Sequence, residues 1–204
     1  MASLLQARPA HATSNVVTTN DDFVGATCPG ANCTLRAAIA AATSPGDMIT
    51  FRAGLASPIL LNPALGELAI NGNSNLTITG PGPSLLAVDG GGAVRVFHIG
   101  ATSAAGVAIG GLTIQHGSAT NGGGMVVENG TSLTLSNATV TNNTATGVPG
   151  GSSPGVGGGI FNAAAATLAN VTVSNNTALA TFFVGGDSPW AALAAASLAA
   201  ALAR

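Results

Sequence analysis

Seven carboxylates could carry chemistry in this chain: Asp21, Asp22, Asp47, Glu67, Asp89, Glu128 and Asp187. Hydrolysis of a glycosidic bond needs two of them facing one substrate. Elimination beside a uronate needs calcium-holding carboxylates and a basic residue that removes a proton. Only Asp21 and Asp22 are adjacent, and the Asn20-Asp21-Asp22 run reads as a turn. No Asp-x-Asp pair falls on a predicted strand. The residues therefore read as non-catalytic, with no cofactor, and a polysaccharide lyase or hydrolase is the minor alternative.

Arg95 and His98 share the run Val94-Arg95-Val96-Phe97-His98-Ile99. Strict strand alternation puts them on opposite faces. Either Arg95, Phe97 and Ile99 share a face, or the strand is bulged. The functional reading is an outward ligand-contact group of Arg95 and His98 with a carboxylate nearby, such as Asp89. The structural reading, a salt bridge or a hydrogen bond to a turn, is preferred. His116, before Gly117, reads as a turn residue. Arg36 reads as a tether from a helix to a carbonyl or carboxylate.

Cys28 and Cys33 flank Pro29-Gly30 in a C-x4-C spacing. A local disulfide in an oxidising compartment fits this spacing, and so do two free thiols. Zinc would require about four ligands, and no second Cys or His pair lies nearby.

Composition narrows the partners. The five basic residues are all arginines and are scattered, and the net charge is -2. Nucleic acid needs a basic patch that neutralises phosphates, so it is excluded. Charged residues are 6% and apolar residues 47% of the chain, the opposite of a disordered composition. No stretch reaches the roughly 20 apolar residues of a membrane-spanning helix. Met1 to Ala12 has one arginine and no apolar run of signal-peptide length.

The elements that must hold these residues are short. Val16 to Thr19 reads as a first strand. Leu35, Ala38, Ile39 and Ala42 recur at i, i+3, i+4 and i+7, which predicts a helix over 34–42 with Thr34 as N-cap. Ser44-Pro45-Gly46 ends it. From Met48 onward the period is strand-like. The predicted strands include Met48 to Phe51, Ile59 to Leu61, Leu68 to Ile70, Leu76 to Thr79, Leu85 to Val88 and Val94 to Ile99. Further on come Gly111 to Gln115, Met125 to Val127, Leu133 to Leu135, Ala138 to Thr141, Ile160-Phe161, Thr167-Leu168 and Val171 to Val173. Gly, Asn, Pro or Ser separates nearly all of them.

An internal repeat selects the architecture. Ser136-Asn137-Ala138-Thr139-Val140-Thr141-Asn142-Asn143-Thr144-Ala145 recurs as Ala169-Asn170-Val171-Thr172-Val173-Ser174-Asn175-Asn176-Thr177-Ala178. A glycine triplet precedes apolar residues at Gly122 to Val126 and again at Gly157 to Phe161. Repetition of this kind marks stacked units that cannot bury their apolar faces alone. Leu133 with Leu135, Ala138 with Val140, and Val171 with Val173 are expected to point inward. Asn137, Asn143, Asn170 and Asn176 are expected to form turns and a ladder between coils. The Gly-, Ser- and Pro-rich run from Thr146 to Gly157 reads as a loop that projects without changing the register. The prediction is an all-β parallel β-helix, a solenoid over 16–187 with the helix over 34–42 capping one end, after a loose leader over 1–15. Residues 188–204 read as an alanine-rich helical tail, with Ser188 as N-cap and placed to cover the other end of the stack, or equally as a poorly packed tail.

Cys33-Thr34-Leu35-Arg36-Ala37-Ala38-Ile39 resembles the Cys-Ser-Leu-Arg-Glu-Ala-Ile motif that names the CSLREA family of bacterial proteins. It departs at Thr34 and Ala37. Pro45 to Phe51, Leu76 to Gly82, Asp89 to Gly92 followed by Val96-Phe97, and Gly157 to Asn162 also resemble segments of that family, in order. The resemblance covers Val16 to Ala178. It implies a right-handed, pectate-lyase-like β-helix in an exported or surface-anchored bacterial protein, similar to polymorphic outer-membrane-protein repeats, without catalytic residues to carry over. The expected function is a structural or adhesin-like module, extracellular or at the cell surface, monomeric, with a surface polysaccharide or a cell-surface ligand as partner. The alternative is a polysaccharide-binding or polysaccharide-degrading β-helix.

Overall fold

The computed structural model of the chain describes residues 12–72, 75–100, 106–148 and 155–179. Residues 1–11 of the expected leader over 1–15, and the alanine-rich tail, lie outside the described residues.

The described chain is a parallel β-solenoid of four turns with partial turns at both ends. Strand β1 (Ser14–Val17) leads to helix α1 (Leu35–Ala41). The first full turn holds β2 (Met48–Phe51), β3 (Ile59–Leu60) and β4 (Leu68–Ile70). The second holds β5 (Leu76–Thr79), β6 (Ala87–Asp89) and β7 (Phe97–Ile99). The third holds β8 (Val107–Gly110), β9 (Thr113–Gln115), β10 (Ser118–Ala119) and β11 (Met125–Val127). The fourth holds β12 (Ser132–Thr141), β13 (Thr144–Ala145) and β14 (Ile160–Asn162). The last, partial turn is β15 (Ala165–Ser174) and β16 (Thr177–Ala178).

Every strand pair is parallel. One face runs β1-β2-β5-β8 into the first half of β12. The second face runs β3-β6-β9 into its second half. A third sheet is β4-β7-β11-β14, and a small fourth is β10-β13-β16. The bend that divides β12 and β15 falls at Asn137 and Asn170, whose φ values are 46° and 55°. Asn adopts this left-handed conformation more readily than other side-chain-bearing residues, so the chain turns a corner without breaking the ladder.

Coil length varies while register holds. Met48 pairs with Thr77, 29 residues on (77 − 48), and Thr77 with Ala108, 31 on (108 − 77). Ala108 pairs with Thr134, 26 on (134 − 108), and Thr134 with Thr167, 33 on (167 − 134). The longest step contains the Gly/Ser/Pro-rich run, whose residues 149–154 lie outside the described residues.

The core is a column of inward residues repeated coil by coil. Ile49, Ile78, Ile109 and Leu135 stack on the first face, and Leu68, Phe97 and Met125 on the third. All are at most 1% exposed. Each Leu or Ile removed from water stabilises by roughly 1.5–3 kcal/mol, and only stacking removes it. Leu133, Leu135, Ala138 and Val140 point inward. Val173 departs from the inward reading in burial: it is 52% exposed, because no described residue stacks above β15.

Several boundaries differ from the expectation, among them Val94 to Ile99, observed as Phe97–Ile99, and Gly111 to Gln115, observed as Thr113–Gln115. The first strand starts earlier, at Ser14. The strand expected over Leu85 to Val88 begins at Ala87, because the turn after Gly82 presents Leu85 outward, 61% exposed. Leu133 to Leu135 and Ala138 to Thr141 are one bent strand.

Helix α1 packs against β1 and β4 and buries Leu35, Ala38 and Ile39. The Thr34 hydroxyl accepts from the Ala37 N–H at 3.1 Å, the N-cap bond. Arg36 locks the helix in place. Its Nε and Nη2 donate to the two Asp22 oxygens, each at 2.8 Å. Its Nη1 and Nη2 also donate to the Glu67 and Gly66 carbonyls, both at 2.8 Å. The Asp22 side chain is only 2% exposed. Replacing Arg36 with alanine strands that carboxylate, so a loss of about 2–4 kcal/mol is expected in urea unfolding. Arg36→Lys should recover less than half of it, since an ammonium cannot reproduce the planar fork.

Candidate functional site

The densest polar cluster sits on the outward surface of the third sheet, where Glu67, Arg95, His98 and Glu128 meet. Ala69, His98 and Val126 are in register on β4, β7 and β11. Glu67 precedes β4 by one residue and Glu128 follows β11 by one. His98 reaches both: Nδ1 lies 2.6 Å from Glu67 Oε1 and Nε2 lies 2.9 Å from Glu128 Oε1. Arg95 Nη1 pairs with Glu67 Oε2. Arg95 Nε and Nη2 donate to the carbonyls of Gly122 and Asn121, each at 3.0 Å.

Arg95 and His98 thus share one outward face, through the bulged alternative. Val96 and Phe97 are both 0% exposed, so two consecutive side chains point inward at the entry to β7. That break in alternation turns Arg95 outward beside His98.

The carboxylate beside Arg95 is Glu67, not Asp89. Asp89, at the end of β6, belongs to a second cluster. Its Oδ2 accepts from Gln115 Nε2 and faces His116 Nδ1, each at 2.8 Å, and its Oδ1 accepts from the Gly91 N–H at 2.8 Å. Burial opposes the charge on Asp89, but the bonds from His116, Gln115 and Gly91 outweigh it and hold the carboxyl below the usual carboxylate range. His116 takes a left-handed turn conformation, φ 48°.

Asp47 is wrapped in the same way. Its Oδ1 accepts from the Thr13 N–H at 2.6 Å and the Thr13 hydroxyl at 2.9 Å. Its Oδ2 accepts from the Ser44 N–H at 2.8 Å. Burial raises the pKa, yet the hydrogen bonds win and lower it. A carboxyl whose folded pKa is depressed stabilises the fold above its unfolded pKa, and that contribution disappears as pH falls through the folded value. Stability is therefore expected to decline below about pH 4. Asp47→Asn should flatten that acid limb in urea titrations at several pH values, at the cost of lower stability at pH 7.

The asparagines line a corner of the coil. Asn143 is fully buried. Its Oδ1 accepts from the Gly117 N–H at 2.7 Å, and its Nδ2 donates to the Ile114 carbonyl at 3.1 Å and to Asn176 Oδ1 at 2.9 Å. Asn176 Nδ2 donates to the Val140 carbonyl at 2.9 Å. At the other corner Asn170 Nδ2 donates to Asn137 Oδ1 at 3.1 Å. Cys28 and Cys33 are joined by a disulfide beside the entry to α1.

One open cleft of about 410 Å³ lies between α1 and the first turn, lined in part by Arg36, Ile39 and Ala40 on one side and Leu65, Glu67 and Ala69 on the other. Glu67 connects this cleft to the His98 cluster. Its two oxygens already face His98 and Arg95, and the imidazole fills the space between Glu67 and Glu128 that a two-carboxylate hydrolase leaves for substrate. No group of three metal-ligating side chains occurs among the described residues.

Sequence reasoning left Glu67 and Glu128 without a role. The signal for them is the coil step: Glu67 precedes His98 by 31 residues and Glu128 follows it by 30. No family model, curated protein or solved structure matches the chain.

Proposed function

We propose that this chain is a non-catalytic structural, adhesin-like module of an exported or cell-surface protein. It is a right-handed parallel β-helix closed at its N-terminal end by α1. Right-handedness is what parallel crossovers adopt almost without exception. The observation that carries the functional reading is the state of the carboxylates. Six of the seven lie in the described residues, and four of them (Asp22, Asp47, Glu67 and Asp89) are engaged by hydrogen bonds or ion pairs that tie one part of the scaffold to another, while Asp21 accepts from the nearby Thr19 hydroxyl. Glu128 is engaged by His98. A carboxylate used in this way positions backbone and turns and has no oxygen poised over a substrate. The Cys28–Cys33 disulfide supports an oxidising compartment. No helix among the described residues is long and apolar enough to cross a membrane.

The second reading is polysaccharide binding without chemistry. It is favoured by the cleft beside α1, which offers Arg36 and Glu67 over an apolar floor. Purified protein incubated with uronate polymers, with and without calcium, should release no unsaturated product. Steady catalytic release would overturn the structural reading. A glycan screen run beside it separates the two non-catalytic readings, since saturable binding that Glu67→Gln weakens would select the second.

A further inference from the structure

Three asparagines precede a glycine in this chain: Asn71, Asn121 and Asn129. The pairing carries a reaction of its own. Glycine has no Cβ, so its backbone nitrogen can reach the side-chain carbonyl carbon of the asparagine before it. The fold leaves that path open at one of the three and obstructs it at the other two.

Asn121 is held on every side that matters. Its Oδ1 accepts from the Val156 N–H at 3.3 Å, and its backbone carbonyl accepts from Arg95 Nη2 at 3.0 Å. The Gly122 N–H, whose nitrogen would have to attack, donates to the Val156 carbonyl at 2.9 Å. Asn71 is hindered in a different way. Its amide oxygen lies so close over Gly100 that a Cβ there would collide with it. The amide therefore cannot swing toward its own backbone without leaving the next coil.

Asn129 and Gly130 lie in the turn between β11 and β12, and both are exposed. Gly130 takes φ 89°, a conformation open to it for want of a Cβ. Neither the Asn129 side chain nor the Gly130 N–H has a hydrogen-bond partner among the described residues. A turn that gives up no bonds on opening rearranges at little cost.

We propose that Asn129 is a site of spontaneous deamidation, and that the fold shields Asn71 and Asn121 from the same reaction. The Gly130 nitrogen gives up its proton to solvent base and bonds to Cγ of Asn129. The Cγ–Nδ2 bond breaks and ammonia leaves. Water then opens the cyclic imide at one carbonyl or the other, giving aspartate or isoaspartate. Either product adds a negative charge next to Glu128 in the chain. Isoaspartate also lengthens the main chain by a methylene just ahead of β12, the strand that pairs with β8, β9 and β15. This rests on the turn and not on the functional reading, so the glycan and product assays do not bear on it. The full chain, kept folded in mildly alkaline buffer, is sampled over days by peptide mapping with isoaspartate detection. Product at position 129 should build up several-fold faster than at 71 or 121. In the urea-unfolded chain the three rates should draw together, because the fold is what separates them. Asn129→Gln should remove the product from its own peptide and leave the other two sites as they were. A folded chain in which Asn71 or Asn121 reacts as fast as Asn129 would refute the proposal. So would an Asn129 that stays intact in the folded chain while it reacts in the unfolded one.

Discussion

Replacing Phe97 with alanine is expected to destabilise the solenoid by roughly 3–5 kcal/mol, a large fraction of what a domain of this size has to lose. Phe97 is 0% exposed and is among the largest fully buried side chains. It sits in the middle of the third sheet, with Leu68 in register below and Met125 above. Both neighbours are held by their own strands, so the site cannot collapse and the cavity persists. Phe97→Leu, which keeps most of the volume, should cost less than half as much. The measurement is a urea titration followed by circular dichroism. If the stack unfolds as one unit, the midpoint falls and the slope is unchanged. A lower slope would mean that the coils on either side of β7 had uncoupled, as repeat proteins do when an interface weakens. A loss below about 1 kcal/mol would contradict the packing described for this column.

The second large effect is expected at Asn143. Alanine there removes the acceptor of the Gly117 N–H and the donor to the Ile114 carbonyl, inside a corner where Asn143 itself is fully buried. Each stranded buried group costs about 1–3 kcal/mol, so a total near 2–4 kcal/mol is expected. Asn143→Asp tests the direction of the bonds. The aspartate keeps an acceptor for Gly117 but turns an oxygen toward the Ile114 carbonyl and Asn176 Oδ1, both acceptors. It should be worse than alanine at pH 7 and recover in part as the pH falls through its own pKa. Asn176→Ala, one rung higher and half-buried, should cost less than half of the Asn143→Ala value. Equal losses at the two asparagines would mean that burial does not grade the ladder.

The stacked architecture was legible because its main signal is local. Alternation shows in Leu76-Thr77-Ile78-Thr79 and in Leu133-Thr134-Leu135, where every second side chain is apolar and buried. Two copies of the Asn-Asn-Thr segment exposed the 33-residue step, and the helix was marked by a spacing and a cap that act within one turn. Strand β8 escaped notice because Val107-Ala108-Ile109-Gly110 is flanked by glycines and has only two β-branched residues. Its neighbours β5 and β12 hold it extended. The 26-, 29- and 31-residue steps were hidden for the same reason, since the loops between strands differ in length and register is kept by pairing alone.

The polar cluster was half legible. Arg95 and His98 stood out by type, but alternation over the whole run fails at Val96, where the chain enters β7 from a corner. Their true partners, Glu67 and Glu128, lie one coil away on either side. With coil length varying, no fixed offset in the sequence points to them. Asp89 was attractive because it is near Arg95 in sequence, and the fold sends it instead to Gln115 and His116 on the next coil.

The fold requires coils lying parallel and in register along one axis. Nitroxide labels on introduced cysteines test this directly, since Cys28 and Cys33 are bonded to each other. Thr134 and Thr167 face outward on paired strands, as do Thr134 and Ala108 on the other side. Adjacent rungs are about 4.8 Å apart. The 134/167 and 108/134 pairs should each show strong dipolar broadening, and the 108/167 pair, two rungs apart, a markedly weaker one. Weak coupling at 134/167, or coupling at 108/167 as strong as at 134/167, would contradict a parallel stack in this register.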